Sequence, residues 1–275
     1  MNRIGRHSLT LALALAVALL VPAHAEGISI PQVMVATGDS ITRAYNDGWL
    51  PYTDYPAASW STGSDTRVQS HRLRLQALSP SGKLTAFNDA RSGAKMAQLK
   101  AQMITAVSQK PQYVTVLMGA NDVCTSSEAT MTTVANFTAQ FVTAMDTITT
   151  GAPNAVVYVV SIPDIYHLWE IYHDSFVART VWNTFDVCQS MLANPGSTAQ
   201  ADVDRRGRVS ARNAALNQAL ESVCAAYRQC VWDGYSVFNA DFTRSDVTTR
   251  DYFHPSIAGQ AKLAAVTWAI GPYGP

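Results

Sequence analysis

Val33-Met34-Val35-Ala36-Thr37-Gly38-Asp39-Ser40-Ile41 is the stretch whose reading decides the fold of this chain. Apolar residues run into Gly38, and a serine stands where they stop. Such a run, bounded by a turn residue, reads as a buried strand with Ser40 held at its C-terminal mouth. In open parallel sheets, ligands bind at that end of the strands. A serine hydroxyl is a weak nucleophile until a base takes its proton and a third group orients the base. Near the other end of the chain, Asp251-Tyr252-Phe253-His254-Pro255 supplies both. A carboxylate and an imidazole three residues apart are expected to bond to each other by opening the first turn of a helix.

Outward from this stretch, strands alternate with helices. Arg43 to Thr66, with Trp49, Tyr52, Tyr55 and Trp60, reads as an irregular loop over the sheet's mouth, its aromatics lining a substrate site or covering the core. Arg67 to Leu78 reads as a helix stopped by Ser79-Pro80-Ser81-Gly82, with His71 a surface or packing residue. Leu84 to Asn88 is a strand delivering Gly93, and Lys95 to Gln109 an amphipathic helix. Tyr113 to Met118 is a buried strand carrying Gly119-Ala120-Asn121-Asp122. A long helix is expected over Glu128 to Thr149, and the glycosylation spelling Asn136-Phe137-Thr138 is discounted because it falls inside it. Ala155 to Ile162 is the next strand. Just past its end, Pro163 to Phe176 gathers Tyr166, His167, Trp169, Tyr172 and His173 into a candidate substrate wall. Helices over Phe176 to Leu192 and Val209 to Arg228, a short strand within Val231 to Val237, and a last helix over Ser256 to Ile270 complete the pattern. The expected fold is α/β, a three-layer α/β/α sandwich around a mostly parallel five-stranded sheet of flavodoxin-like order.

At the N-terminus, Arg3 and Arg6 precede an apolar run from Leu9 to about Val21 and the small-x-small pattern Ala23-His24-Ala25. This reads as a secretory signal peptide over residues 1–25, too short to span a membrane, followed by one domain over 26–275 and secretion after cleavage near Ala25. The chain carries 20 basic and 20 acidic side chains with no long charged run, which argues against nucleic acid or an anionic membrane surface as the main partner. A monomer without stable membrane insertion is expected. The four cysteines suggest two disulfides in an exported chain. Cys224 and Cys230 are close enough to close a small loop, which leaves Cys124 with Cys188. No paired C-x-x-C spacing supports zinc, and His167 and His173 share no helical face, so neither a metal nor a cofactor is expected.

Four blocks, Gly38-Asp39-Ser40, Gly93 in Ala90-Arg91-Ser92-Gly93, Asn121 in Gly119-Ala120-Asn121-Asp122, and Asp251-x-x-His254, resemble in order the signature blocks of the SGNH, or GDSL-type, hydrolases. Ile41 stands where the longest GDSL spelling has leucine. Trp60-Ser61-Thr62-Gly63, the run from Val116 to Cys124, and Ser161-Ile162-Pro163-Asp164 look similar to the phospholipase B-like branch. The resemblance implies a serine ester hydrolase with Ser40 as nucleophile, His254 as base and Asp251 as its orienting acid. It also implies an oxyanion hole made by the backbone N–H groups of Ser40 and Gly93 and the Asn121 amide. Asp39 and Asp122 read as hydrogen-bond supports of their loops, and Trp49, Tyr166 and Trp169 as candidate substrate contacts. No G-x-S-x-G elbow occurs, which excludes the α/β-hydrolase alternative. The expected substrate is a small-molecule or lipid ester. A carbohydrate O-deacetylase, an acyltransferase and a catalytically silent lipid- or glycan-binding protein are the rivals.

Overall fold

The computed structural model describes residues 29–275, so the expected signal peptide and its cleavage point near Ala25 lie outside the described residues. In chain order it contains β1 (Val33–Gly38), α1 (His71–Leu78), β2 (Thr85–Asn88), α2 (Met96–Ser108), β3 (Tyr113–Leu117), α3 (Ala120–Val123) and α4 (Val134–Gly151). There follow β4 (Val156–Val160), α5 (Ile165–Tyr172), α6 (Phe176–Thr184), α7 (Gln189–Leu192), α8 (Gln200–Cys224), β5 (Cys230–Trp232) and α9 (Ile257–Ile270). The five strands form one wholly parallel sheet in the flavodoxin-like order β2-β1-β3-β4-β5. The inner strands β1, β3 and β4 are almost entirely buried, which is why their sequences are continuous apolar runs rather than alternations. Side chains still alternate between faces. Tyr113 and Tyr158 point to the side of α1 and α9, where they bond His71 and the Thr267 carbonyl. Helices α2, α4 and α8 pack against one another in series and cover the other side.

Several boundaries depart from the sequence reading for local reasons. Helix α1 begins at His71 rather than Arg67, because Gln69 is left-handed (φ 53°) and the Ser70 hydroxyl caps the Leu73 N–H. The long helix α4 begins at Val134, capped by the Thr133 hydroxyl on Asn136 N–H; Glu128–Thr130 is only an isolated turn of 3₁₀ helix. The single helix expected over Phe176 to Leu192 is broken into α6 and α7 at Cys188, whose φ is 47°. Helix α8 starts nine residues before the periodicity, since its first turns, Gln200 to Arg206, are too polar to show an apolar stripe.

Two disulfides are present, Cys124–Cys188 and Cys224–Cys230. The first ties the residue after α3 to the start of α7, so it braces the turn that carries Asn121. The second closes the turn between α8 and β5. None of the described helices is long and apolar enough to cross a membrane.

Candidate active site

The strand ends place the site. β1 terminates at Gly38 with φ 145°, where a Cβ would stand 2.3 Å from the Leu117 carbonyl oxygen, so only glycine lets the chain turn this close to β3. Gln102 of α2 clasps the same residue: its amide donates to Gly38 O at 2.9 Å and its Oε1 accepts from Gly38 N–H at 2.7 Å. Asp39 is fully buried, and its Oδ1 accepts from Ile41 N–H at 2.9 Å, which shapes the turn presenting Ser40. Burial pushes the Asp39 carboxyl up to about 7. From α9, Gln260 donates to Ile41 O at 2.8 Å and accepts from Trp60 N–H at 3.0 Å. Trp60 itself is core, with its indole N–H on the Thr42 hydroxyl, so the Trp60–Gly63 block supports the turn from beneath and does not line its mouth.

Asp251 and His254 arrive from the far end of the chain. They do not open the last helix as expected: Ser256 caps α9, and Asp251 to His254 form a separate turn with Tyr252 at φ 54°. Asp251 Oδ1 accepts from the backbone N–H groups of Phe253 (2.9 Å) and His254 (3.0 Å), an arrangement that a short acidic side chain makes readily. Its Oδ2 lies 2.8 Å from His254 Nδ1, and His254 Nε2 lies 2.8 Å from Ser40 Oγ. Burial alone would raise the Asp251 carboxyl. The bond from the His254 ring, the ring's charge and the two backbone donors outweigh it and hold the group below the ordinary carboxylate range. An ionised carboxylate only accepts, so Nδ1 carries the hydrogen and Nε2 is free to accept the Ser40 hydroxyl. Tyr45 stacks at an angle on the imidazole, ring centroids 4.9 Å apart.

The loops of Gly93 and Asn121 follow β2 and β3, the two neighbours of β1 in the parallel sheet, and so leave it at the same end as Ser40. Gly93 has φ 79° and open space where a Cβ would be, so its backbone can face a substrate. Its loop is fixed by Arg91 N–H on Gly38 O and by the Ser92 hydroxyl on Asp54. The Asn121 amide donates one hydrogen to Ala94 O at 3.0 Å, leaving its second for a ligand. Among the described residues, the N–H groups of Ser40 and Gly93 have no partner. Asp122 spans Thr132 Oγ1 (2.6 Å) and the Met96 N–H at the start of α2 (2.9 Å), which locks the Asn121 turn onto the next layer.

An apolar pocket opens beside His254, lined by Ile41, Ala120, Leu168, Ile171, Phe242 and Phe253. Helix α5 does form one wall, and of the residues gathered there from the sequence His167 lines the pocket, whereas Tyr166 and Trp169 do not. Ile165, Leu168 and Ile171, three apart, face the pocket; Tyr166 and Trp169 pack together on the other side, where Trp169 N–H bonds Pro195 O and Arg206 lies over its ring. Trp49 is 84% exposed at the tip of the loop after Ser40 and lines no part of this pocket. His167 bonds the Phe242 carbonyl and His173 stacks on Trp169, as packing and rim residues do. No group of three or more His, Cys, Asp or Glu among the described residues is placed to hold a metal ion. Sequence reasoning missed Gln102, Gln260 and Asn46. Asn46, in Tyr45-Asn46-Asp47-Gly48, donates to Asp251; its sole signal was an Asn before Asp-Gly, a residue type suited to left-handed backbone.

The site sits on a scaffold with known relatives. The chain is 28% identical over 180 residues to the membrane-associated phospholipase B1 of Rattus norvegicus, an alignment covering 54% of this chain and spanning only 12% of that protein's length. Three solved structures superpose with TM-scores of 0.53: an extracellular lipase from Streptomyces rimosus (17% identity, 87% of this chain and all of that one), phospholipase A1 from Streptomyces albidoflavus NA297 (16%, 88% and all), and a family 3 carbohydrate esterase from Clostridium thermocellum (16%, 86% and 94%). At such identities they speak for the fold. The model of the GDSL-like lipase/acylhydrolase family matches residues 36–262, from inside β1 into α9, and the chain belongs to that family.

Proposed function

We infer that this protein is a serine ester hydrolase in which Ser40, His254 and Asp251 form the catalytic triad. The observation that carries this is the unbroken relay from Asp251 Oδ2 through His254 to Ser40 Oγ, 2.8 Å at each step. As Ser40 Oγ attacks an ester carbonyl, His254 Nε2 takes its proton, and Asp251 holds the tautomer and offsets the imidazolium charge. The tetrahedral oxyanion is received by the N–H groups of Ser40 and Gly93 and the free hydrogen of the Asn121 amide. The intermediate collapses as His254 returns the proton to the departing alcohol, leaving an acyl-Ser40. Water, deprotonated by His254, then releases the acid.

The apolar pocket beside His254 favours an acyl or lipid ester, in keeping with the lipase and phospholipase names of the relatives. Two disulfides favour an oxidising compartment and hence export after cleavage near Ala25, with 26–275 acting as one monomeric domain. The test is hydrolysis of p-nitrophenyl esters from acetyl to palmitoyl, with Ser40→Ala beside the parent. Turnover rising with chain length and abolished in the variant is the expected result. A sharp acetyl preference moves the reading to sugar O-deacetylation, and no turnover at any length leaves a binding protein.

A further inference from the structure

The loop between Ser40 and Trp60 contains a side chain that touches the triad from behind. Asn46 is 2% exposed and sits in the left-handed region at φ 70°, a conformation that Asn tolerates better than most residues. Its Nδ2 donates to Asp251 Oδ2, the same oxygen that receives the His254 ring. Its Oδ1 accepts from Tyr52 N–H, and its own N–H donates to Thr53 O at 2.9 Å. A backbone N–H can only donate, so Tyr52 settles which way the amide points: oxygen to Tyr52, nitrogen to Asp251. Asp251 thereby carries four donors, two on each oxygen.

We propose that Asn46 is a positioning residue of this triad, fixing the rotation of the Asp251 carboxylate so that Oδ2 meets the imidazole in line. Two backbone donors pin Oδ1, and apart from the His254 ring that Oδ2 has to orient, the Asn46 amide is the donor that fixes Oδ2. The same amide withdraws charge from Oδ2, so it tempers how firmly Asp251 holds the proton on the ring during turnover. The inference rests on the triad reading above. Other groups that act on this pair are Asp47 and Tyr45 on the same loop, Asp39 behind Ser40, and Arg250 beside Asp251. All four are unchanged in the variants below.

The test compares Asn46→Asp and Asn46→Gly in the full chain on p-nitrophenyl butyrate. Glycine keeps the left-handed backbone and removes the whole amide. Aspartate keeps an oxygen for Tyr52 N–H and replaces only the donor facing Asp251. The expected result is a kcat lower by roughly 10- to 100-fold in both, with KM within about twofold. In Asn46→Asp the acid limb of the pH–rate profile moves to higher pH by about 1 unit, since a second carboxylate strengthens the hold on the imidazole proton. Parent-like kcat in Asn46→Asp with loss only in Asn46→Gly assigns Asn46 to the loop through its oxygen and overturns the proposal. So does a lowered melting temperature with parent-like kcat per folded molecule, or a fall in kcat with the acid limb unmoved. Activity surviving Ser40→Ala defeats the triad reading itself and is read separately.

Discussion

Two histidines, His71 and His254, show how far the surroundings of one side chain set its chemistry. Both rings use both nitrogens. His71, the first residue of α1, is sealed against the sheet and α9, 1% exposed, with the rings of Trp60 and Trp268 edge-on to it and those of Tyr113 and Tyr158 roughly parallel. The Thr267 hydroxyl gives its hydrogen to Leu263 O at 2.6 Å, so it receives from His71 Nε2–H, and Nδ1 accepts from the Tyr113 hydroxyl. His254 carries the opposite tautomer. Its partners are a carboxylate and a serine at the rim of a pocket. Full burial, helped by the charge of the nearby Arg74 guanidinium, holds His71 uncharged, with its pKa pushed down to about 3. His254 instead has a carboxylate behind its ring and lies at a partly open site, the surroundings that the proposed general base requires.

The contrast can be broken first at its reactive end. His254→Ala should lower kcat on the order of 10⁴- to 10⁶-fold while the thermal midpoint stays near that of the parent. A residual rate within tenfold of the parent means that another base serves Ser40. Next in size, Asn121→Ala should reduce kcat by about 10²- to 10³-fold with little change in KM, because a prealigned oxyanion donor acts mainly in the transition state. A change in KM alone would place Asn121 in ground-state binding instead.

At the silent end, His71→Leu should leave kcat per folded molecule unchanged and cost about 1–3 kcal/mol of stability at pH 7, by stranding the Tyr113 hydroxyl. That penalty should shrink between pH 7 and pH 4. Over this range the unfolded parent, with its ordinary histidine value of 6.5, binds a proton that the native ring refuses, and so the parent loses stability as pH falls. The variant has no such group. Urea titrations at the two pH values measure the gap, and a gap that widens on acidification contradicts the assignment of a neutral buried ring.

The same contrast explains what the sequence could and could not reveal. Ser40, Asp251 and His254, which the structure brings into contact, were legible because each stands at the end of an apolar run or in a short turn, where one residue type has few reasons to occur. The strands were legible for the same cause: burial on both faces leaves a continuous signal. His71 carries no periodic mark, and nothing local distinguishes a sealed histidine from an exposed one. Tyr166 and Trp169 misled because bulk and aromaticity suggested a substrate wall, whereas the spacing of Ile165, Leu168 and Ile171 defines the pocket face. Asn46 was hidden by distance, for its partner lies 205 residues away and no local pattern couples them.

One feature of the site bears on how the molecule is made. Ser40 and His254 are 214 residues apart, joining the first strand to the turn before the last helix. A chain emerging from the ribosome presents Ser40 and the loops of Gly93 and Asn121 long before Asp251 and His254 exist, and domains form as units from the N-terminus onward. Synthesis must therefore carry the chain past His254 before the Ser40–His254 contact can form.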